Sequence, residues 1–333
     1  MRAWVVDQCA PIDGGPLRRV ERDEPVPGPS QVRVRISCCG VCRTDLHLAV
    51  GDLPPRRPGV TPGHEIVGRI EAAGAGAGRF AVGDRVGVPW LGRTDATCRF
   101  CRRGAENLCE APTFTGWDVD GGYADACLVD EGFAYALPAA LSDEAAAPLL
   151  CAGIIGYRAL RAAEIPPGGR LGIYGFGGSA HLTAQIALHE GFRVHVLTRG
   201  EQNQRLATRL GVDSVGAAAE PPPEPLDGAI LFAPAGELVP VALRALDAGG
   251  TLAVAGIWLS DIPRIDYDSE LFRERRLRSV TANTRLDGEE FLRLAERFAI
   301  RATTTAYPMR DAPRALADLF HGRFGGAAVL HNA

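Results

Sequence analysis

An apolar strand, a glycine turn and a helix start follow one another in Leu171-Gly172-Ile173-Tyr174-Gly175-Phe176-Gly177-Gly178-Ser179-Ala180. Few architectures accommodate that succession. The match is G-x-G-x-x-A, in which Gly175 permits a tight turn and Gly177 lets backbone approach a pyrophosphate. Ala180 is small enough for close helix–strand packing. The helix N-terminus then offers free N–H groups and the positive end of its dipole to phosphates. Gly175, Gly177, Gly178 and Ala180 are therefore the first candidates for dinucleotide contact.

The surrounding pattern sets the fold of this half. Strands are expected at Leu171–Tyr174, Val194–Leu197, Ala229–Phe232, Thr251–Ala255 and Leu277–Thr281. Helices are expected at Ala145–Leu160, Ser179–His189, Gln202–Leu210 and Glu237–Ala245. Such alternation implies parallel strands with crossover helices, a doubly wound Rossmann sheet. NAD-binding folds usually place an acid at the end of the second strand, for the ribose 2′-hydroxyl. Here that strand ends Val196-Leu197-Thr198-Arg199-Gly200, with no acid before Glu201. Thr198 and Arg199 become cofactor candidates, and arginine without a carboxylate favours a 2′-phosphate. NADP(H) is the expected cofactor, with NAD(H) the alternative.

The 333 residues exceed one ordinary core, so about two domains are expected. The first half holds short alternating runs such as Gln31–Ile36, Ile66–Ile70 and Arg85–Val88, which read as strands of an irregular β-rich domain. Helical patterns at Gly288–Ala299 and Ala312–His321 close the chain. The expected division is 1–150 with 288–333 for the β-rich domain and 151–287 for the dinucleotide domain. A net charge of −4 gives no reason to expect nucleic acid or an anionic membrane. The longest apolar run, Ala145–Ile155, is too short to span a bilayer and contains Pro148 and Gly153. Nine cysteines in a long chain with no charged-then-apolar leader suggest reduced, cytoplasmic thiols. The basic residues are all arginine, which rules out Schiff-base and P-loop lysines.

Three cysteines carry a metal signal. Cys98, Cys101 and Cys109 fall at C-x2-C-x7-C, and Asp95 stands three residues before Cys98. Zinc favours four tetrahedral ligands and binds sulfur well, and carboxylate oxygen is an accepted fourth ligand. The run reads as a structural zinc lobe with one thiolate exchanged for a carboxylate.

Two further stretches, Gly40-Val41-Cys42-Arg43-Thr44-Asp45-Leu46-His47 and Pro62-Gly63-His64-Glu65, complete a recognisable order with Cys98–Cys109, Cys151-Ala152-Gly153 and Gly175–Ala180. Together they resemble the zinc-dependent alcohol dehydrogenases of the medium-chain dehydrogenase/reductase family, over essentially the whole chain. The resemblance implies an α/β protein with a GroES-like catalytic domain and a Rossmann domain. It implies that Cys42, His64 and Cys151 bind a catalytic zinc; two cysteines and a histidine are the set known for alcohol dehydrogenase, so the ligand count comes with the resemblance. Glu65 resembles the acid that can approach the metal, and Asp45 the carboxylate that holds the histidine tautomer. Thr44 and His47 resemble the proton relay, and Arg43 a pyrophosphate contact.

The reaction so implied is hydride transfer between an alcohol or aldehyde and NADP(H), in a homodimer or homotetramer. Trp90, Trp117, Leu53 and Ile155 are candidates for the substrate wall. His181 is placed either near the cofactor phosphates or on a helix face. Cys9, Cys38, Cys39 and Cys127 are read as packing thiols. Competing readings are a zinc-free quinone or enoyl reductase of the same fold, which would lack Cys42, His64 and Cys151, and a non-catalytic dinucleotide-binding protein.

Overall fold

The computed structural model describes residues 1–332. The chain divides into two compact units. The first comprises Met1–Cys151, Ala282–Glu296 and the chain from Ala302 onward; the second comprises Ala152–Thr281 and Arg297–Arg301. The boundaries differ from the sequence expectation at three places, one of them Arg297–Arg301, which groups with the second unit. Cys151 stays with the first unit because its thiol faces His64 and Cys42. The chain returns at Ala282 rather than Gly288 because Arg285 is bound to Glu106, through its backbone N–H at 2.6 Å and its guanidinium at 2.7 Å.

The first unit is organised by the long strand Gln31–Val41, whose early residues alternate between half-buried and buried. Val32, Val34 and Ile36 point into the core, as a period of two requires. This strand pairs antiparallel with Ile66–Ala73, which pairs with Arg85–Val88, and that in turn with Tyr135–Ala136. On its other flank the first half pairs with Ala126–Asp130 and the second half with Ala327–His331. Thr304–Pro308 then adds in parallel. A small separate hairpin, Leu91–Arg93 with Thr113–Phe114, carries the cysteine-rich lobe between its strands.

The second unit is a six-stranded parallel sheet. From one edge its strands are Ser214–Gly216, Arg193–Leu197, Arg170–Tyr174, Leu226–Leu231, Leu246–Val254 and Arg276–Ser279. In chain order this is the doubly wound arrangement in which the first strand is central and the sequence reverses beside it. Leu171, Ile173, Val194, Val196, Ile230 and Leu252 are wholly buried, because a parallel sheet is covered on both faces. Each such side chain contributes about 1.5–3 kcal/mol of burial. Arg276–Ser279 is the exception: all four residues are exposed on the open edge, where Arg276 and Arg278 both pair with Glu164.

One expected element is corrected. Ala145–Leu160 is not a continuous helix. Asp143–Ala146 is a helical turn, Ala147–Leu150 tightens to a 3-10 turn, and Ala152–Ala162 is a new helix. Pro148 lacks the N–H a continuous helix needs and its ring opposes the preceding turn. Cys151 sits in the break with φ −126° and ψ −69°. None of the described helices is long and apolar enough to cross a membrane.

Leu252→Ala should lower stability by about 2–5 kcal/mol, since the wholly buried strand cannot collapse around the cavity. The loss would be read as a shift of the urea midpoint, with native far-ultraviolet circular dichroism retained below it.

Candidate active site

The site begins at a helix N-terminus. Cys42 caps Arg43–Val50, its Sγ accepting the Thr44 backbone N–H at 3.5 Å. Asp45, three residues on, returns the favour by accepting the Cys42 N–H at 3.0 Å. This is a capping box with a thiol in the place usually held by serine or threonine. The helix end also favours the thiolate over the thiol.

The Asp45 carboxylate is buried at 2% exposure and has four donors. Oδ1 accepts the Gly63 N–H at 3.0 Å and His64 Nδ1 at 3.1 Å. Oδ2 accepts the Cys42 N–H at 3.0 Å and the Tyr123 hydroxyl at 3.2 Å. With Nδ1 so engaged, His64 turns Nε2 the other way, 3.3 Å from Cys151 Sγ. Cys151 Sγ lies 4.0 Å from Cys42 Sγ. Glu65 completes the group: one ligand atom from each of Cys42, His64, Glu65 and Cys151 lies within 4.8 Å of the others.

The electrostatics suit a cation. The contact with Cys151 pushes the Cys42 thiol well below its usual range, and the same contact pushes Cys151 well above its own. Burial opposes a charged His64, but the neighbouring Asp45 and Cys42 outweigh it and raise its pKa well above the ordinary value. Two thiols, an imidazole nitrogen freed by its partner, and a buried carboxylate are the donor types zinc takes. The Glu65 side chain fills the space above Gly40, where a Cβ would lie 1.8 Å from its Oε2. Gly40 is the room that lets the carboxylate lie inside.

Thr44 and His47 follow Cys42 on the same helix. Thr44 is buried, with Oγ1 3.6 Å from Cys42 Sγ. His47 Nδ1 bonds Asp52 at 2.9 Å, and that carboxylate is half exposed. Arg43 is exposed at the helix start. Trp90 packs edge-on against His64, with ring centroids 4.9 Å apart. Trp117 lies 5.8 Å from Trp90 in near-parallel orientation. Phe114 completes the wall, 5.0 Å from Trp90. Neither Phe114 nor Tyr123 carries a motif or spacing signal in the sequence; Phe114 has only its place in an aromatic-rich stretch between the lobe and Trp117. Leu53 is half-buried just beyond the helix, and Ile155 half-buried in the second unit. Cys38, Cys39 and Cys127 are core residues, but Cys9 is exposed rather than packed.

Asp95, Cys98, Cys101 and Cys109 form a second group, again within 4.8 Å of one another. Asp95 Oδ1 accepts the N–H groups of Thr97 and Cys98 at 2.9 and 3.0 Å. These bonds hold its carboxyl well below the usual range, the Cys98 N–H having the larger effect. Cys109 Sγ accepts the Asp95 N–H at 3.3 Å and that of Ala111 at 3.4 Å. Two backbone N–H groups thus point at the Cys109 sulfur, and the loop turns its ligand-type side chains toward one another. All nine cysteines are free of disulfides.

The glycine turn of the second unit has the form its motif demands. Gly175 has φ +85°, and a Cβ there would lie 2.8 Å from the Ala233 nitrogen. A Cβ on Gly177 would meet nothing within 4 Å, so this backbone faces open space. Helix Gly178–His189 has no side-chain cap, which leaves its first N–H groups for a ligand. Ala180 is fully buried. His181 is also buried, with Nδ1 3.1 Å from the Gly177 carbonyl oxygen. Thr198 is buried at the end of its strand and Arg199 is exposed. Glu201 is engaged by Arg205 at 3.1 Å.

The chain resembles known proteins along nearly its whole length. Residues 28–139 match the alcohol dehydrogenase GroES-like domain. The chain is 56% identical to a probable alcohol dehydrogenase, AdhA, of Mycobacterium tuberculosis, covering 99% of this chain and 97% of that protein. It is 35% identical to an alcohol dehydrogenase of Geobacillus stearothermophilus, covering 99% of each. Among solved structures it superimposes on Helicobacter pylori CAD complexed with NADP(H), with TM-score 0.88, 25% identity and 99% of each chain covered. Acetophenone reductase from Geotrichum candidum in complex with NAD gives TM-score 0.90 at 25% identity, covering 99% of this chain and 96% of that one. The cobalt- and zinc-bound thermostable alcohol dehydrogenase from Pyrobaculum aerophilum gives TM-score 0.89 at 25% identity, covering 99% of each. A GroES-like unit with its cysteine–histidine cluster, a Rossmann unit, and near full-length identity to such enzymes place this chain among the alcohol dehydrogenases of the medium-chain dehydrogenase/reductase family.

Proposed function

We propose that this alcohol dehydrogenase is zinc-dependent and transfers hydride between a primary or secondary alcohol, or an aldehyde, and NADP(H). The observation that carries the reading is the cluster Cys42, His64, Glu65 and Cys151, with two of its members tied to one buried Asp45. Cys42, His64 and Cys151 would hold the catalytic zinc, and Glu65 would lie within its reach. When bound, the metal supplies Lewis acidity toward the substrate oxygen. The chain supplies the rest. Asp45 keeps the His64 proton on Nδ1 and its ligand nitrogen free. Thr44 would accept the substrate proton at its buried hydroxyl while releasing its own, and His47, which bonds Asp52, would hand a proton on to solvent. Trp90, Phe114 and Trp117 exclude water and favour an apolar substrate. Asp95, Cys98, Cys101 and Cys109 would hold a second, structural zinc.

In the cofactor site Gly175, Gly177, Gly178 and Ala180 would receive the pyrophosphate, with Arg43 assigned to it as well. Thr198 and Arg199 would meet the adenosine ribose. The preference for NADP(H) over NAD(H) is supported by an exposed Arg199 and by the engagement of Glu201 with Arg205. A homodimer or homotetramer is supported by the open sheet edge at Arg276–Ser279 and by exposed Tyr267 and Phe272. The free cysteines suit a reducing, cytoplasmic setting.

Metal analysis of the native protein should return zinc at both clusters. Cys42→Ala should abolish turnover and remove the catalytic metal while NADPH binding, read by fluorescence, is retained. Full activity of metal-free native protein would sink the mechanism. Asp95→Ala should lose the second metal and thermal stability before it loses turnover. Arg199→Ala should lower the NADP-to-NAD ratio of kcat/KM about 10–100-fold, the size of a charge-assisted hydrogen bond. An unchanged ratio would refute the 2′-phosphate assignment.

A further inference from the structure

We propose that Tyr123 is a positioning residue for the metal-binding histidine, acting through Asp45. The inference rests on the zinc reading of the cluster and adds to it a residue from another segment of the chain. An ionised carboxylate has about four acceptor positions, and Asp45 has a donor for each. Three come from the ligand-bearing segments themselves: the Cys42 N–H, the Gly63 N–H and His64 Nδ1. The fourth is the Tyr123 hydroxyl, 78 residues away in sequence. Tyr123 is fully buried, and its hydroxyl has one proton to give.

The ring is placed without slack. The Tyr123 N–H bonds the Pro62 carbonyl at 2.9 Å, and its own carbonyl accepts the Trp4 N–H at 2.8 Å. Beside it the Gly121 N–H bonds the Thr61 carbonyl at 2.8 Å and the Gly122 N–H bonds that of Gly63 at 2.9 Å. The two segments lie too close for side chains. A Cβ on Gly63 would stand 2.6 Å from the Tyr123 ring, one on Gly121 2.0 Å from the Gly63 carbonyl, and one on Gly122 2.6 Å from Cys39 Sγ. Gly63 also has φ +100°. Backbone pairing therefore clamps the phenol on the turn that presents His64. The hydroxyl then fixes the carboxylate plane, and with it the direction of the imidazole.

Tyr123→Phe keeps the ring and removes only the donor. Tyr135→Phe is the control: another buried hydroxyl of the first unit, packed on Gly288 and outside both metal clusters. Zinc affinity by chelator competition should fall about tenfold in Tyr123→Phe, the low end of the effect of residues that orient metal ligands. The visible bands of the cobalt-substituted protein should shift as well. In Tyr135→Phe, which removes a buried hydroxyl with no hydrogen-bond partner, both should stay at native values. Native zinc affinity and an unshifted cobalt spectrum in Tyr123→Phe would overturn the proposal, as would its failure to fold, since the ring is retained. If native protein and Cys42→Ala bind the same amount of zinc, the zinc reading itself fails, a result distinct from failure of the Tyr123 assignment.

Discussion

A buried carboxylate with a full set of donors organises the first unit. Asp45 is 2% exposed and carries charge that the interior would otherwise resist. Its donors are the cap of one helix, the turn bearing His64, and the phenol of a third segment. Satisfying the charge and assembling the site are therefore the same event. A carboxylate left with fewer partners would be costly to bury. Two of the three thiol and imidazole groups take their direction from this one side chain.

The remaining cysteine is aimed by a different device. Pro148 interrupts what apolar periodicity would make one helix, and Cys151 occupies the interruption. A residue inside a continuous helix has its side chain fixed by the 3.6-residue period, whereas one in a break can face elsewhere. The close backbone approaches at Gly40, Gly63 and Gly121 serve the same end, admitting the Glu65 side chain and the clamp around Tyr123.

Much of this was legible in the chain. The glycine turn, the period-two run at Gln31–Ile36 and the spacing of Cys98, Cys101 and Cys109 are local signals resting on rules of geometry or coordination, whereas Cys42, His64 and Cys151 were implied by the family resemblance. The broken helix was misread because apolar periodicity across Ala145–Leu160 outweighed one proline. Tyr123 and Phe114 carried no spacing signal. Their importance comes from contacts between segments far apart in sequence, which periodicity cannot report. The return of the chain at Ala282 was missed for the same reason, since it depends on a pairing of Arg285 with Glu106 across 179 residues.

The strand that leads into Cys42 has an unusual history during synthesis. Its second half, Cys38–Val41, pairs on one flank with Ile66–Val67, made soon afterwards, and on the other with Ala328–His331. Between the two partners the ribosome must make the entire second unit. Until the final strand emerges, the segment nearest the site has an unpaired edge in the nascent chain. By then every strand of the second unit has been made, whereas the first still lacks Ala327–His331. Vectorial synthesis therefore delivers every strand of the inserted unit before the strand that closes the one enclosing it.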